Sequence, residues 1–224
     1  VNHGDADSIH AIVPGMTGIA REPGASGDPG AEPSVKFEKP TGSLVGSLLV
    51  ATPTLRDPSF ERTVVLLVAH ESGGAMGVVL NRATEIPVAE VLGEWAALSQ
   101  HPAVLFEGGP VQPDSAICVA RARQGVDQIE GFQPFFGALG TVDLCQEPVA
   151  MRQQIEAVRV FAGYAGWSPG QLEEEIEQGS WFTFDALPGD PFMDRPDDLW
   201  SLVLRRQGGL VAAVAHYPSD PSLN

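Results

Sequence analysis

Arg56, Asp57, Glu61 and Arg62 gather in one short stretch, Thr52-Pro-Thr-Leu-Arg-Asp-Pro-Ser-Phe-Glu-Arg62. Arginine presents a planar fork that grips carboxylates and phosphates. Asn81, at the end of a strand-like run, adds an amide that both donates and accepts hydrogen bonds. Together they describe a binding loop for a small anionic ligand. The same residues also have a structural reading, in which Asp57 caps the turn, Arg62 pairs with Glu61 or Asp57, and Phe60 anchors the loop in the core. Gly108-Gly109-Pro110-Val111 offers backbone N–H groups as an anion nest. It lacks the Gly-Lys-Ser/Thr and helix start of a phosphate loop, and a tight turn needing positive φ also accounts for it. Tyr164 and Trp167 lie in the glycine-flanked run Gly163-Tyr-Ala-Gly-Trp167. Aromatic side chains on such a loop serve as interface anchors. Alternatively, Trp167 staples the following helix through Leu172.

The patterns of nucleophilic and metal catalysis are missing. The chain has no Gly-x-Ser-x-Gly elbow and no His-Glu-x-x-His helix. Of five histidines, His70 ends an apolar run beside Glu71, which can orient it, but no third member of a triad suggests itself. Asp190, Asp194, Asp197 and Asp198 stand at expected helix starts, where the helix dipole favours acids. Cys118 lies in the apolar run Ala116-Ile-Cys-Val119 and reads as a buried small hydrophobe, while Cys145 follows a strand end and reads as more exposed. The pair is expected to be reduced. No catalytic residue, metal or cofactor is expected. An enzyme acting on a small metabolite in the same strand-end cleft is the alternative.

These residues need elements to position them. Leu44 to Ala51 and Thr63 to Ala69 are continuous apolar runs, the pattern of strands buried on both faces. Ser72-Gly73-Gly74 turns the second into a returning strand, Ala75 to Leu80. Val104 to Phe106, Ile117 to Arg121, Ala138 to Leu144 and Trp181 to Phe184 are further strand candidates, and Val158 to Gly163 reads as extended. Helices are expected over Pro87 to Leu98, Pro148 to Ala157, the stretch opened by Ser168 and closed by Gly179, and Pro196 to Gln207. Ser168 and Gln171 fit a capping box, with Leu172 and Ile176 inward and Glu173, Glu174, Glu175 and Glu177 largely outward. Asp197 and Asp198 begin the last helix, Arg205 and Arg206 close it, and Gly208-Gly209 stops it. His216 follows an Ala/Val run that looks strand-like. Without a βαβ period, the pattern predicts an α/β domain with a largely antiparallel, irregular sheet.

The chain has 224 residues, 43% of them hydrophobic, with a formal net charge of −16. That length suits one domain, and the apolar fraction supplies a real core. Residues 1–40, rich in Gly, Pro, Ser and Asp, read as a disordered tail preceding a domain over 41–224. The tail carries three of the basic and six of the acidic residues, which leaves −13 on the domain. This excess disfavours a duplex-DNA interface, which needs concentrated positive charge, without excluding a local basic patch. No apolar run is long enough to span a membrane. The start shows no signal-peptide pattern, so the expected location is cytoplasmic. The initial valine reads as a literal GTG start or a trimmed end, and Met16 is the other candidate start.

Four stretches in order carry a resemblance: Gly46 to Arg62, Gly74-Ala-Met-Gly-Val-Val-Leu-Asn-Arg82, Gly108-Gly-Pro-Val111, and Gly163 to Glu173. Over roughly residues 43–216 the chain resembles the YqgE/AlgH family of uncharacterised bacterial proteins. The resemblance implies a single compact α/β domain whose bifurcated sheet folds into a pseudo-barrel with flanking helices. It also brings the description of a regulator of transcription, and no established catalytic residues. The functional expectation is a binding or regulatory protein using Arg56, Asp57, Arg62, Asn81, Gly108, Gly109, Tyr164 and Trp167. A protein partner or a small anion is a better fit than DNA.

Overall fold

The computed structural model describes residues 10–11, 37, 40–126 and 128–217. In strand β2 (Ser47–Ala51), Leu48 and Val50 enter one apolar cluster while Leu49 and Ala51 enter another. Strand β3 (Val64–Glu71) repeats this: Val64, Leu66 and Val68 lie on one side, Val65 and Leu67 on the other. Successive side chains of a strand point to opposite faces. A sheet covered on both faces therefore needs the unbroken apolar runs seen in the sequence.

The two strands continue into an antiparallel hairpin with β4 (Gly74–Val79). Then come β5 (Ala83–Pro87), β6 (Val104–Glu107), β7 (Val111–Ala122), β8 (Phe132–Phe136), β9 (Leu139–Val142), β10 (Ile155–Trp167) and β11 (Trp181–Asp185). The main path runs β11-β2-β3-β4-β10-β7-β9-β8, with β5–β6 branching from β10. Pairings are antiparallel except β6 with β10 and a two-residue strand, β1 (His10–Ala11), with β7. The result is one domain with a mostly antiparallel sheet curled into a half-barrel, matching the α/β expectation.

Helices cover the sheet. The outer cluster of β2 and β3 lies beneath α3 (Gln171–Glu177), which contributes Leu172 and Ile176, and beneath Leu55 and Phe60 of the loop before β3. A second outer cluster, around Cys118, Val158 and Val160, is closed by Val88 of α1 (Val88–Val91), Trp95 and Met151 of α2 (Pro148–Met151). The interior takes Leu199, Trp200, Val203 and Leu204 of α4 (Leu199–Arg205). After it comes α5 (Gly209–Val214).

Several elements depart from expectation. The helix over Pro87 to Leu98 breaks after Val91, because Leu92 leaves helical geometry (φ −134°, ψ 59°), and a 3-10 turn at Gly93–Trp95 follows. The helix from Pro148 stops at Met151, since Ile155, Ala157 and Val158 are claimed by β10. The Gly163–Trp167 run is strand rather than loop. The Ala/Val run before His216 is helical. Strands β5 and β8 were not expected. The tail expected over residues 1–40 lies largely outside the described residues, though within it Phe37 stacks on Phe182 at 5.5 Å. Among the described residues no helix is long and apolar enough to cross a membrane.

Candidate functional site

Strand β10 organises the region where most of the sequence-selected residues meet. Before Gly163, Ala157 and Phe161 face the interior while Val158 and Val160 face outward. A register shift falls between Ala162 and Tyr164, and Gly163 there takes φ +68°. Beyond it Tyr164 packs on the interior, and Ala165 and Trp167 face the outer cluster under α3. A one-residue bulge thus exchanges the two faces of the strand. It lets β10 pair with β6 before the bulge and with β4 after it, while β7 runs along both parts.

Gly108 and Gly109 serve that bulge. A Cβ on Gly108 would strike the Gly163 carbonyl, and one on Gly109 (φ +149°) would strike the Tyr164 backbone. The Gly108 N–H donates to Ala162 O at 2.8 Å, and its carbonyl accepts from the Val79 N–H at 2.9 Å. The glycine pair is a backbone crossing, with these groups spent inside the sheet.

Asn81 stands beside this crossing, at the end of β4. Its Oδ1 accepts the Val64 N–H and its Nδ2 donates to the Arg62 carbonyl, each at 2.9 Å. It holds Arg62 in a left-handed conformation (φ +54°), unusual for a residue with a side chain. From there the Arg62 guanidinium lies over the Trp200 ring, 4.0 Å from its centroid, and donates to the Tyr217 carbonyl at 2.9 Å. Its partners are an aromatic face and a carbonyl, rather than the expected Glu61 or Asp57. Asp57 accepts the Ser59 N–H at 2.8 Å, which is the turn-capping role. Arg82 donates to the Pro58 carbonyl at 2.9 Å and pins the same loop. Arg56 is exposed on that loop.

Trp167 sits apart from this corner, on the outer face. It is buried and lies 6.3 Å from Phe60 and 6.1 Å from Trp181 between ring centroids. It shares a cluster with Leu172, as a helix staple requires. The expected capping box is only half made: Gln171 Oε1 accepts the Ser168 N–H at 3.0 Å, but the N-cap of α3 is Gly170 (φ +80°) rather than Ser168, and no side chain caps it. The structure therefore joins Arg62, Asn81, Gly108, Gly109 and Tyr164 around the end of β4 and the β10 bulge. Arg56 and Asp57 lie on the adjoining loop, and Trp167 beneath it.

A family model described as AlgH-like matches residues 48–212. The chain belongs to the AlgH-like family. A UPF0301 protein of Streptomyces coelicolor is 50% identical over 185 residues, covering 81% of this chain and 96% of that protein. One from Mycobacteroides abscessus is 45% identical over 181 residues, covering 80% and 87%. The crystal structure of a Corynebacterium diphtheriae protein superposes with a TM-score of 0.76 at 32% identity, covering 79% of this chain and 94% of that one. The solution structure of the AlgH protein from Pseudomonas aeruginosa gives 0.59 at 29% identity, covering 82% and 98%.

The AlgH-like fold also buries polar groups that the sequence did not single out. Arg159, between the inward positions Ala157 and Phe161 of β10, is 2% exposed. It lies over Phe106, 4.3 Å from the ring centroid, and donates to the carbonyls of Met193 at 3.0 Å and His101 at 2.8 Å. Burial draws its pKa down to about 10, against the opposing pull of Asp194. Lysine has no planar fork and cannot reproduce both bonds while stacking. Arg159→Lys is expected to cost about 1–3 kcal/mol in urea unfolding. An unchanged midpoint would show that the two carbonyl bonds do not hold these loops.

His70 is oriented by Glu173, not by its neighbour Glu71. Its Nδ1 accepts the Leu44 N–H at 3.0 Å, so Nε2 carries the proton toward Glu173 Oε1 at 2.9 Å. Glu175 likewise turns inward, accepting both buried indoles. Helix periodicity gave no signal for these two inward turns. The signal lay in buried Trp and His on other elements, whose polar atoms need partners. Burial pushes the Cys118 thiol far above its usual range, and Cys145, exposed, is raised by a hydrogen bond to Asp143. Neither is an activated nucleophile. Among the described residues no three metal-ligating side chains converge.

Proposed function

We propose that this AlgH-like protein is a cytoplasmic binding protein whose ligand is another protein, and that its binding surface is the C-terminal helical pair together with the Arg62 corner. The observation that supports this reading is the pairing of a strained residue with exposed apolar surface. Arg62 is held at positive φ, and strain of this kind gathers at functional positions. The segment it holds exposes Leu202 (40%), Leu210 (69%) and Tyr217 (45%). Protein interfaces are built around large side chains of this kind. A regulatory effect on transcription, on this reading, passes through the partner rather than through DNA.

The test is affinity purification of the tagged protein from its own host, beside a Leu210→Asp variant shown to be folded. The expected result is a protein retained by the parent and lost from the variant. Equal retention by both would remove this surface from the proposal. A retained small molecule that the protein turns over would replace it with an enzymatic reading.

A further inference from the structure

Helix α5 has the construction of a removable part. It begins at Gly209 directly after Gly208, and both glycines are at positive φ (53° and 75°). None of its six residues is buried, whereas α4, just before it, buries Leu199, Trp200, Val203 and Leu204. Yet Val211 and Val214 of α5, and Ala215 after it, pack on the interior cluster. The surface beneath α5 is therefore the apolar content of the half-barrel. Six residues are too few for a helix to persist on its own in water. Its position depends on what holds it.

The tie at its far end is Arg62. The guanidinium spans two elements, stacking on Trp200 of α4 and donating to the Tyr217 carbonyl after α5. Trp200 is itself fixed, its indole N–H donating to the Ala51 carbonyl at 2.8 Å. Asn81 keeps Arg62 in the backbone conformation from which its side chain reaches both. One end of α5 is thus a glycine hinge and, among the described residues, the other is held by a charged catch.

We infer that α5 is a displaceable latch over the apolar interior of the half-barrel, that Arg62 is its catch, and that the surface it uncovers accepts the apolar face of a partner helix. The identity of the occupant rests on the partner-binding reading; the latch itself does not. The argument for a helix is the resident one. Gly-Leu-Val-Ala-Ala-Val covers this surface with small side chains and leaves its leucine outside. A longer helix with larger anchors would bury more area in the same place.

Hydrogen exchange read by mass spectrometry tests the latch in the full chain. Two variants act on different ends. Arg62→Ala removes the catch. Gly208→Ala strains the hinge through the backbone alone, because nothing lies within 4 Å of an added Cβ. Each is expected to speed exchange across residues 209–217 by about tenfold or more, with β3 and β10 unchanged. Fluorescence of anilinonaphthalene sulfonate should rise with it as the apolar floor opens. Unchanged exchange at 209–217 in both variants would overturn the latch, as would acceleration spread evenly over the chain or full exchange there in the parent. Local release in both variants without any retained partner in the purification would uphold the latch and reject the partner reading alone.

Discussion

Gly163→Ala is expected to prevent stable folding. The Cβ it adds would come to 2.6 Å from the Gly109 carbonyl oxygen, 2.9 Å from the Val111 carbonyl oxygen and 3.2 Å from Pro113 Cα. All three are backbone atoms, one in the β6–β7 connection and two at the start of β7, so none can turn aside as a flexible side chain would. The residue also sits at φ +68°, which costs a side-chain-bearing residue about 1 kcal/mol before any contact is counted. Relief requires separating β10 from that connection, and β10 is the strand on which β4, β6 and β7 all pair. The expected loss is about 4 kcal/mol or more, enough to unfold a domain of ordinary stability. Circular dichroism and urea unfolding would check it. A cooperative transition within about 1 kcal/mol of the parent would mean that the crossing is looser than these distances require. Gly166→Ala, further along the same strand, is the control: the nearest atom to its added Cβ is Tyr164 Cε2 at 3.3 Å, a side-chain atom.

The same bulge explains which parts of the fold could be read in advance. β2, β3 and β4 were legible because both their faces meet apolar clusters, so the pattern in the chain is a plain apolar run. β10 was broken into a helix, a strand and a loop. Its outward and inward positions change places at Gly163, and no constant period survives that change. The two aromatic residues after it then resembled a presented loop, although Tyr164 and Trp167 are strand positions on opposite faces. Helix α5 was hidden for a related reason. Gly208-Gly209 reads as a helix stop, and it does stop α4. The same pair, at positive φ, redirects the chain into a second helix too short for a periodic signature.

The candidate site was legible by residue and not by role. Arg62 and Asn81 stood out because a fork and an amide near strand ends suit an anion. In the fold their hydrogen bonds go to backbone groups, and what they organise is the chain itself. For Arg62 that assignment depends on Trp200 and Tyr217, far away in sequence, which local spacing cannot register. Asp57 was the opposite case: its cap is made within two residues, so a short-range rule found it.

Glu175→Ala is the other substitution expected to act strongly, through polar groups rather than sterics. Glu175 Oε2 accepts the indole N–H of Trp167 at 2.9 Å and that of Trp181 at 2.8 Å. Its Oε1 accepts from Gln171 Nε2 at 3.0 Å. One carboxylate thus joins α3, the end of β10 and the start of β11. Both tryptophans are buried, at 7% and 1% exposure, so alanine would strand two indole donors where water has little access. Each stranded donor costs about 1–3 kcal/mol, which puts the expected loss for the two at about 2–6 kcal/mol. Trp167 and Trp181 should also lose their fixed environment, flattening the near-ultraviolet dichroism, while β7 and β9 stay protected from exchange. Glu175→Gln separates acceptor from charge. Its amide oxygen can take the place of Oε2 and accept both indoles, while its NH2 group meets Gln171 Nε2, a donor, and loses that bond. It should therefore fall between the parent and Glu175→Ala. If Gln proved as harmful as Ala, the charge rather than the count of acceptors would be what the two indoles require. If Ala proved harmless, the outer cluster of Leu172, Ile176 and Phe60 would be holding α3 by apolar contact alone.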